Sequence, residues 1–350
     1  MAGILLLMNN KLFAQYPPPA GTVVEADEIN LAPLSGLTVA IIGYGTMGRA
    51  QALNLQRSGV DVIVGSRPGS QTGKRATEEG LKVFPVAEAA AAAHVVMLML
   101  PDEAVAAAFE QDIKPALRPD AIVGLAHGFA VAFNQISWPG ACFLAAPKGQ
   151  GDMLLDAFAA GEGVPGLLAV TESSPDETWD LAAAYAKAVG CVYGGCFVTT
   201  FRQECISDQF GEQVVLCGGV VELLQSAFDI MVEGGYGEEN AYFECVHELK
   251  LITDLLHKYG IDGMRSRISG TASYGGLTRG KRIINDEVRS NMRDVLKEIE
   301  TGEFAEEFLA RHDDPEVGIA ALKKREEASA LVKAGHRVLP RLHPGKGSLS

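Results

Sequence analysis

Short apolar runs alternate with alanine-rich stretches from about residue 37 to about residue 190, and this alternation constrains the fold more than any other feature of the chain. Continuous apolar runs are typical of strands buried in a parallel sheet, and the stretches between them are typical of covering helices. The candidate strands are residues 37–42, 60–64, 94–100, 121–125 and 166–170, and the candidate helices are residues 49–58, 87–93 and 178–189. Residues 34–200 are therefore predicted to form a doubly wound α/β domain.

The pattern of apolar residues changes near residue 200, beyond which strand-like runs are largely absent from the sequence. Apolar residues at helical spacing mark residues 208–233, 240–258 and 286–309, and glycine-rich or polar breaks follow at 234–239 and 260–280. Residues 201–342 are therefore predicted to form an all-α domain. Residues 1–33 are expected to be a tail and residues 343–350 a loose C-terminus.

Composition and charge argue against several classes of partner. The 350 residues are 47% apolar, which is enough to fill the cores of two domains. The net charge of −14 argues against nucleic acid or an anionic membrane surface, because both attract clustered lysine and arginine. We expect no membrane helix, since no stretch approaches the roughly 20 apolar residues required, and the run at residues 4–8 is too short for a signal peptide.

The six cysteines show no CxxC or metal-knuckle spacing, and they stand among valine, leucine and glycine. They are expected to be buried free thiols, which persist in a reducing compartment. The chain is therefore predicted to be a cytoplasmic globular protein.

A glycine turn follows the first candidate strand and opens the first candidate helix. Its residues are Gly43, Tyr44, Gly45, Thr46, Met47 and Gly48. Glycines in this context permit a tight turn and the close approach of a pyrophosphate, while the helix N-terminus faces the phosphates. The turn predicts a Rossmann domain that binds a dinucleotide; the alternative is a turn that serves packing alone.

The second candidate strand ends where the adenosine ribose of such a dinucleotide would lie. An acidic residue there would bind the 2′-hydroxyl of NAD, but the chain carries Arg67, Ser70 and Thr72 instead. A guanidinium and two hydroxyls suit the additional phosphate of NADPH. The segment therefore predicts NADPH, and the alternative is that Arg67 is a solvated surface residue.

Two pairs of carboxylates occur at helical spacing in the second half of the chain. Asp208 and Glu212 form one pair, and Glu244 and Glu248 form the other. Apolar neighbours suggest partial burial, where like charges would need a cation. Oxygen ligands without cysteine or histidine favour Mg²⁺ over zinc. The alternative is a pair of solvated helix faces, with Lys250 or Arg202 as partners.

An ordered set of sequence strings is similar to a known family. The strings are GYGTMG, VGSRPGSQT, LPDE, AHGF, APKGQG, GEGVPGLLAV, DQFGEQVVLCGG, AYFECVHELKLITDLL and RISGTASYG. Together they resemble ketol-acid reductoisomerase in its short form, from about residue 36 to residue 340.

The resemblance implies a role for each candidate residue. Four carboxylates would hold two Mg²⁺ ions, with Asp208 bridging them and with Glu212 and Glu248 also serving catalysis. Lys148 and Ser269 would contact the substrate, and His127 would lie near the nicotinamide. The positions implied as metal ligands are Asp208, Glu212, Glu244 and Glu248. The positions implied as cofactor contacts are the glycine turn, Arg67, Ser70, Thr72, Pro101, Asp102 and His127.

The resemblance also implies a reaction and an assembly. A 2-acetohydroxy acid would undergo a 1,2-alkyl shift, followed by hydride reduction from NADPH to a 2,3-dihydroxy acid, as in branched-chain amino-acid biosynthesis. The second domain would have a knotted chain path, and dimerisation would complete each site with the second carboxylate pair of the neighbouring subunit. The assembly would be a homodimer or a higher homo-oligomer of dimers.

Several positions differ from the usual residues of this family. These positions are Thr46, Met47, Arg49, Gln51, Gln150, Asp152, Cys205, Ile206, Ser207, Gly270 and Ser273. None of them is an implied metal ligand, but several adjoin Lys148 or Ser269. They leave open a family member that reduces, or rearranges and reduces, a different 2-keto acid in specialised metabolism. A homologue that binds NADPH without turnover is a separate alternative.

Overall fold

A computed structural model describes residues 12–343, and the chain divides into two compact units between Cys205 and Ile206. The first unit is built around a β-sheet and the second is helical. This arrangement confirms the predicted fold class, an α/β Rossmann domain followed by an all-α domain. The knotted path remains a prediction.

One sheet of nine strands organises the described part of the first unit. The strands are β1 (Val23–Val24), β2 (Thr38–Ile42), β3 (Asp61–Gly65), β4 (Lys82–Phe84), β5 (Val95–Leu98), β6 (Ile122–Leu125), β7 (Cys142–Pro147), β8 (Gly166–Val170) and β9 (Cys196–Val198). Their order across the sheet is β1-β9-β8-β7-β6-β5-β2-β3-β4. Strands β2 to β7 run parallel, whereas β7 pairs antiparallel with β8 and β1 pairs antiparallel with β9.

Helices cover both faces of this sheet. They are α1 (Thr46–Arg57), α2 (Gln71–Glu78), α3 (Val86–Ala92), α4 (Asp102–Ala108), α5 (Phe129–Ala132), α6 (Gly151–Ala159) and α7 (Glu177–Val189). Leu55 and Tyr185 belong to the core on one face, and Ala89 and Phe109 belong to the core on the other. Burial on both faces explains why the central strands are continuous apolar runs.

The five predicted strands are confirmed as β2, β3, β5, β6 and β8, but four strands escaped prediction. Strand β4 lies at the sheet edge and is largely exposed, so it lacks a buried apolar run. Strand β7 reads CFLAAP, in which alanine and proline have low strand propensity; its central place in the sheet overrides that preference.

The predicted N-terminal tail is wrong for its described part, residues 12–33. Phe13 is only 5% exposed and packs edge-on against Trp179, and the Tyr16 hydroxyl donates a hydrogen bond of 2.6 Å to Asp180 Oδ1. Strand β1 joins the sheet through β9. The segment therefore belongs to the core of the first unit, because its scattered apolar residues find partners that are distant in sequence. Residues 1–11 lie outside the described part.

Helices alone form the second unit within the described residues. They are α8 (Phe201–Gly211), which begins in the first unit, α9 (Gly219–Glu233), α10 (Glu238–Tyr242), α11 (Glu248–Arg265), α12 (Gly270–Ile283), α13 (Asp286–Thr301), α14 (Glu303–Arg311), α15 (Ile319–Glu327) and α16 (Ala330–Leu342). Phe228, Tyr242 and Val338 belong to its small core.

The predicted break at residues 260–280 is only partly correct. Gly260 has a φ of 70° and interrupts α11, as expected of a glycine in a break. However, α12 occupies residues 270–283 despite its glycines. Gly276 leaves room for a neighbour, since a Cβ there would lie 2.5 Å from Arg265 Nη1. Gly276 therefore allows close packing, whereas Gly270, Gly275 and Gly280 meet nothing within 4 Å and are simply tolerated in the helix.

The expectation that no segment could span a membrane also needs correction. Among the described residues, Phe201–Glu233 is long and apolar enough to do so by length and composition. Length and composition alone are weak evidence for a membrane span, because an apolar helix of a soluble protein can have both.

Replacing Phe13 with alanine should lower the free energy of unfolding by about 3 kcal/mol, because a buried aromatic ring leaves a cavity. Urea unfolding followed by circular dichroism measures the change. Tyr193→Ala is the control, since Tyr193 is 56% exposed and its loss should cost less than about 1 kcal/mol. Equal effects of the two substitutions would show that the N-terminal segment does not belong to the core.

Candidate active site

The candidate residues of the first unit lie just beyond the carboxyl ends of its parallel strands. Gly43 follows β2, Arg67 follows β3, Pro101 follows β5, His127 follows β6 and Lys148 follows β7. Strand β2 lies between β3 and β5, so the direction of winding reverses there. Ligands of open α/β sheets bind in the crevice that such a reversal creates.

Glycine occupies the three positions of the turn for different physical reasons. Gly43 has a φ of 98°, and a Cβ there would lie 2.4 Å from Met99 O. A Cβ at Gly48 would lie 2.3 Å from Gly43 O. Gly45, the N-cap of α1, would meet nothing within 4 Å. Packing therefore demands the outer two glycines, whereas Gly45 leaves open space at a helix N-terminus, which suits a pyrophosphate.

Tyr44 is turned into the protein rather than toward this space. Its side chain is 3% exposed, and its hydroxyl donates to Glu79 Oε2 at 2.7 Å. Arg49 donates to the other oxygen of Glu79, also at 2.7 Å. Burial and this hydrogen bond raise the pKa of Tyr44 far above 10.0. Only the backbone of Tyr44 is therefore left to contact a cofactor.

A pocket of about 240 Å³ lies beyond β3 and β4, where the adenosine of a dinucleotide would sit. Its lining includes Arg67, Ser70 and Lys74. Ser70 caps α2, because its Oγ accepts from Gly73 N at 3.0 Å, and it also pairs with Ser66 Oγ at 2.7 Å. Arg67 and Lys74 are thus the two cations of this pocket, and Lys74 was missed because it lies outside the loop itself.

A buried carboxylate joins two of the candidate residues. Glu204, on α8, is 1% exposed. Its Oε1 accepts a hydrogen bond of 2.8 Å from Lys148 Nζ, and its Oε2 lies 3.3 Å from His127 Nδ1. The same Oε2 accepts from Gly128 N at 2.7 Å. His127 Nε2 lies 4.0 Å from Asp102 Oδ2. We refer to Glu204, Lys148 and His127 as the Glu204 cluster.

Electrostatics keep this cluster ionised. Burial alone would lower the pKa of His127, but the hydrogen bonds to Cys205 and Glu204 and the charges of Glu204 and Asp102 outweigh it, raising the pKa from 6.5 to about 11. Burial would likewise raise the pKa of Glu204, but its contacts with His127 and Lys148 lower it below 4.5. The cluster therefore presents a fixed imidazolium at neutral pH.

The sequence reasoning missed Glu204, although a signal was present. Glu204 precedes Asp208 by the same spacing of four residues that singled out Asp208 and Glu212. Extending the carboxylate pattern by one helical turn would have found it. Cys205, one of the departures from the usual family residues, is buried and hydrogen-bonded to His127.

Two residues that differ from the usual family residues, Arg49 and Asp152, lie close together where the segment after Lys148 packs on the glycine turn. A Cβ at Gly151 would lie 2.4 Å from Thr46 O, so this segment packs directly on the glycine turn. Arg49 Nη1 lies 3.9 Å from Asp152 Oδ1. Asp152 is 80% exposed, so this ion pair contributes little stability. Arg49 and Asp152, which both differ from the usual family residues, are nevertheless neighbours in space and carry opposite charges.

The second unit carries both predicted carboxylate pairs, each beside a π turn. Asp208 lies on α8, and Glu212 opens the π turn Glu212–Leu216. Glu244 lies in the π turn Phe243–His247, and Glu248 opens α11. Asp208 is half-buried, but the other three are exposed, which corrects the expectation of partial burial. The helices of the second unit leave much of their apolar surface uncovered in a single chain.

Ser269 is the N-cap of α12. Its Oγ accepts from Ala272 N at 3.2 Å and lies 3.0 Å from Thr271 Oγ1. The side chain is exposed. The N-terminus of a helix attracts a carboxylate, so this position would suit the substrate contact that the resemblance implies, which remains a prediction.

The donor chemistry of the second unit fits Mg²⁺. All four side chains in the two pairs offer carboxylate oxygens, the ligands that a hard divalent cation prefers. Three of the four are exposed and therefore accessible to an ion.

The cysteines are free thiols, as expected, but only four of them are buried. Cys217 is exposed and Cys245 is half-buried. Both lie on the second unit, whose core is small. The burial predicted for all six is therefore wrong at these two positions.

Glu204→Gln should lower the free energy of unfolding by about 3 kcal/mol near pH 5.5, since it leaves two partly buried cations, Lys148 and His127, without their counter-charge. The contribution of Glu204 is present above pH 4.5 and is lost as the pH falls through its lowered pKa. The contribution of His127 to the free energy of unfolding is complete below pH 6.5 and is lost as the pH rises through about 11. The difference between wild type and variant should therefore be largest between these limits and smaller at pH 9.

Chemical denaturation across this pH range measures the difference. Glu110→Gln removes the same charge from a surface ion pair and should cost less than about 1 kcal/mol at every pH. A difference for Glu204→Gln that does not vary with pH would contradict the assigned ionisation.

Comparison with known proteins agrees with this geometry. The family model described as acetohydroxy acid isomeroreductase, NADPH-binding domain, matches residues 33–195, and that described as ketol-acid reductoisomerase, C-terminal domain, matches residues 201–342. The structure of an NADH-preferring ketol-acid reductoisomerase from an uncultured archean is 37% identical, covers 92% of this chain and 99% of its own, and superposes with a TM-score of 0.88.

A semialdehyde dehydrogenase NAD-binding protein from Cupriavidus necator, solved with calcium and NAD, is 21% identical and covers 75% of this chain and 99% of its own, with a TM-score of 0.56. At that identity it shows a shared fold alone. The two family models together span most of the chain, and the archaeal relative aligns with nearly all of it. The chain therefore belongs to the ketol-acid reductoisomerase family and is an NAD(P)-dependent oxidoreductase.

Proposed function

We propose that this protein converts a 2-acetohydroxy acid, either 2-acetolactate or 2-aceto-2-hydroxybutyrate, into a 2,3-dihydroxy acid with NADPH and Mg²⁺. The reaction is a 1,2-alkyl shift followed by reduction of the resulting ketone, and it serves branched-chain amino-acid synthesis in the cytoplasm. The Glu204 cluster is the observation that carries the proposal, since it holds two cations beyond the carboxyl ends of β6 and β7, on the same edge of the sheet as the dinucleotide turn.

Asp208, Glu212, Glu244 and Glu248 would hold two Mg²⁺ ions, which would supply Lewis acidity to the alkyl shift. The hydride would come from NADPH. Both steps place negative charge on substrate oxygen. The protein's own side chains have the remaining tasks: they bind and orient the substrate and stabilise the negative charge that develops on it.

Lys148 and His127 supply preorganised positive charge. Glu204 fixes the Nζ of Lys148 and the Nδ1 of His127, so neither group must reorient when charge develops. Fixed charges in a water-poor site stabilise a developing oxyanion more than solvated ones do. Ser269, at the N-terminus of α12, would bind the substrate carboxylate.

The adenosine pocket supports NADPH as the preferred cofactor. Arg67 and Lys74 line it, and acidic residues are absent from its lining. A carboxylate would be needed to bind the 2′-hydroxyl of NADH, whereas two cations suit a phosphate. The relative from an uncultured archean prefers NADH, so the preference of this chain depends on its own side chains.

The exposed apolar surface of the second unit supports a homodimer. Large apolar side chains stand open on several of its helices, among them Leu216 at 65%, Ile230 at 68%, Ile261 at 71% and Leu277 at 63% exposure. Monomeric proteins rarely expose apolar surface on this scale. A second copy would cover it and bring a second set of carboxylates, as the family resemblance implies.

Purified protein should oxidise NADPH when given Mg²⁺ and 2-acetolactate, as followed by loss of reduced-nicotinamide absorbance. Glu212→Gln should lower that turnover at least about 100-fold, because several kcal/mol of charge stabilisation are lost with a metal ligand. NADPH binding, followed by fluorescence, should not change. Glu222→Gln on α9 is the matched control and should keep wild-type turnover.

Two outcomes would count against the proposal. Wild-type turnover in Glu212→Gln would exclude the metal assignment. Turnover with 3-hydroxy-3-methyl-2-ketobutyrate but none with 2-acetolactate would show a reductase without the alkyl shift.

Arg67→Ala and Lys74→Ala should each lower kcat/KM for NADPH about tenfold, the usual loss for one charge-assisted hydrogen bond, and should change kcat/KM for NADH less than about threefold. Steady-state kinetics with both cofactors measure the ratio of kcat/KM for NADPH to kcat/KM for NADH. Lys82→Ala, on β4 but outside the pocket lining, should leave it unchanged. An unaltered ratio in both pocket variants would refute binding of the 2′-phosphate by these cations.

A further inference from the structure

The helix that carries Glu212 widens at that residue. Glu212 opens the π turn Glu212–Leu216, and its carbonyl oxygen accepts two backbone hydrogen bonds, from Cys217 N at 2.8 Å and from Gly218 N at 3.0 Å. In an α-helix the donor would be the amide four residues further on, at Leu216. The backbone of Glu212 is therefore held by residues beyond the next helical turn.

Only glycine fits where this π turn returns to α-helix. A Cβ at Gly218 would lie 2.1 Å from Gln213 O, and one at Gly219 would lie 2.0 Å from Val214 O. Both obstacles are backbone atoms, which cannot swing aside as a side chain can. Gly218 has a φ of −93°, which any residue adopts. Space, rather than backbone conformation, therefore demands glycine at this position.

The second carboxylate pair has the same local arrangement. Glu244 lies within the π turn Phe243–His247, and the Glu248 amide donates to Phe243 O. One further π turn, Phe109–Ile113, occurs in the described residues, and it lies in the first unit. Single π turns inside α-helices cluster at functional sites, since the additional residue redirects the side chains around it. Both pairs thus coincide with a backbone feature that regular helix propensity does not produce.

We propose that Gly218 and Gly219 are positioning residues for the divalent-cation site and that they act by keeping Glu212 in its π turn. The inference rests on the proposed function, in which Glu212 is a Mg²⁺ ligand. Magnesium requires near-ideal octahedral geometry at short distances, so it is sensitive to a rotation of a ligand's backbone. A methyl group at either glycine displaces the Gln213 or Val214 carbonyl and, with it, the turn that begins at Glu212.

The test is Mg²⁺ binding by calorimetry with the full chain, in wild type, Gly218→Ala and Gly219→Ala. Each substitution should weaken Mg²⁺ binding at least about tenfold, the usual effect of disturbing the support of a metal ligand. NADPH affinity and far-UV circular dichroism should stay unchanged. Gly280→Ala on α12 is the matched control, because a Cβ there meets nothing within 4 Å, and it should bind Mg²⁺ as the wild type does.

Equal Mg²⁺ affinity in the wild type and in both variants would overturn the inference and leave the proposed function standing. Absence of Mg²⁺ binding by the wild type would instead overturn the proposed function, and the inference with it. The two failures are therefore distinguishable.

A second measurement uses the wild type alone and applies if either variant fails to fold. Mg²⁺ at about 100 times its Kd should slow hydrogen exchange of the Cys217 and Gly218 amides at least about tenfold, since a ligand bound at Glu212 stabilises the turn that these amides close. Exchange rates at these two amides that do not respond to Mg²⁺ would overturn the inference.

Discussion

The pairing of the Glu204 carboxylate with Lys148 and His127 is the interaction on which the candidate site of the first unit depends. This carboxylate is almost fully buried, and a buried charge is tolerated only when cations and hydrogen-bond donors surround it. Lys148, His127 and the Gly128 amide meet this need. Because β6 and β7 deliver two of these partners and α8 delivers the acid, one carboxylate fixes the relative positions of three chain segments.

The absence of side-chain atoms is a second constraint, and it operates at several places. Gly128 allows α8 to approach, since a Cβ there would lie 2.4 Å from Phe201 O. Gly151 brings the segment after Lys148 against Thr46, and Gly48 closes the dinucleotide turn on Gly43. Gly218 and Gly219 do the same for the π turn after Glu212. In each case backbone atoms come closer than a methyl group permits, and a candidate site residue is near in sequence.

The periodic segments were predictable because their signal is local. Strands β2, β3, β5, β6 and β8 are continuous apolar runs, and GYGTMG sits between a strand and a helix as a dinucleotide turn must. The carboxylate spacing singled out all four implied metal ligands. Helix α12 was missed because its glycines favour a break. Strand β4 and the packed segment around Phe13 were missed because each depends on partners far away in sequence. Local propensity carries no information about such partners.

The sequence by itself determined the order of the α/β and helical units, the glycine turn, the Arg67 guanidinium suited to a 2′-phosphate and the pairing of carboxylates at helical spacing. These features depend on residue type and on spacing within one or two turns. Only the tertiary structure decided that Glu204 joins Lys148 to His127 and that Tyr44 turns away from the cofactor space. The physical reason is that burial and charge pairing are settled between segments brought together by the fold, and no single segment records them.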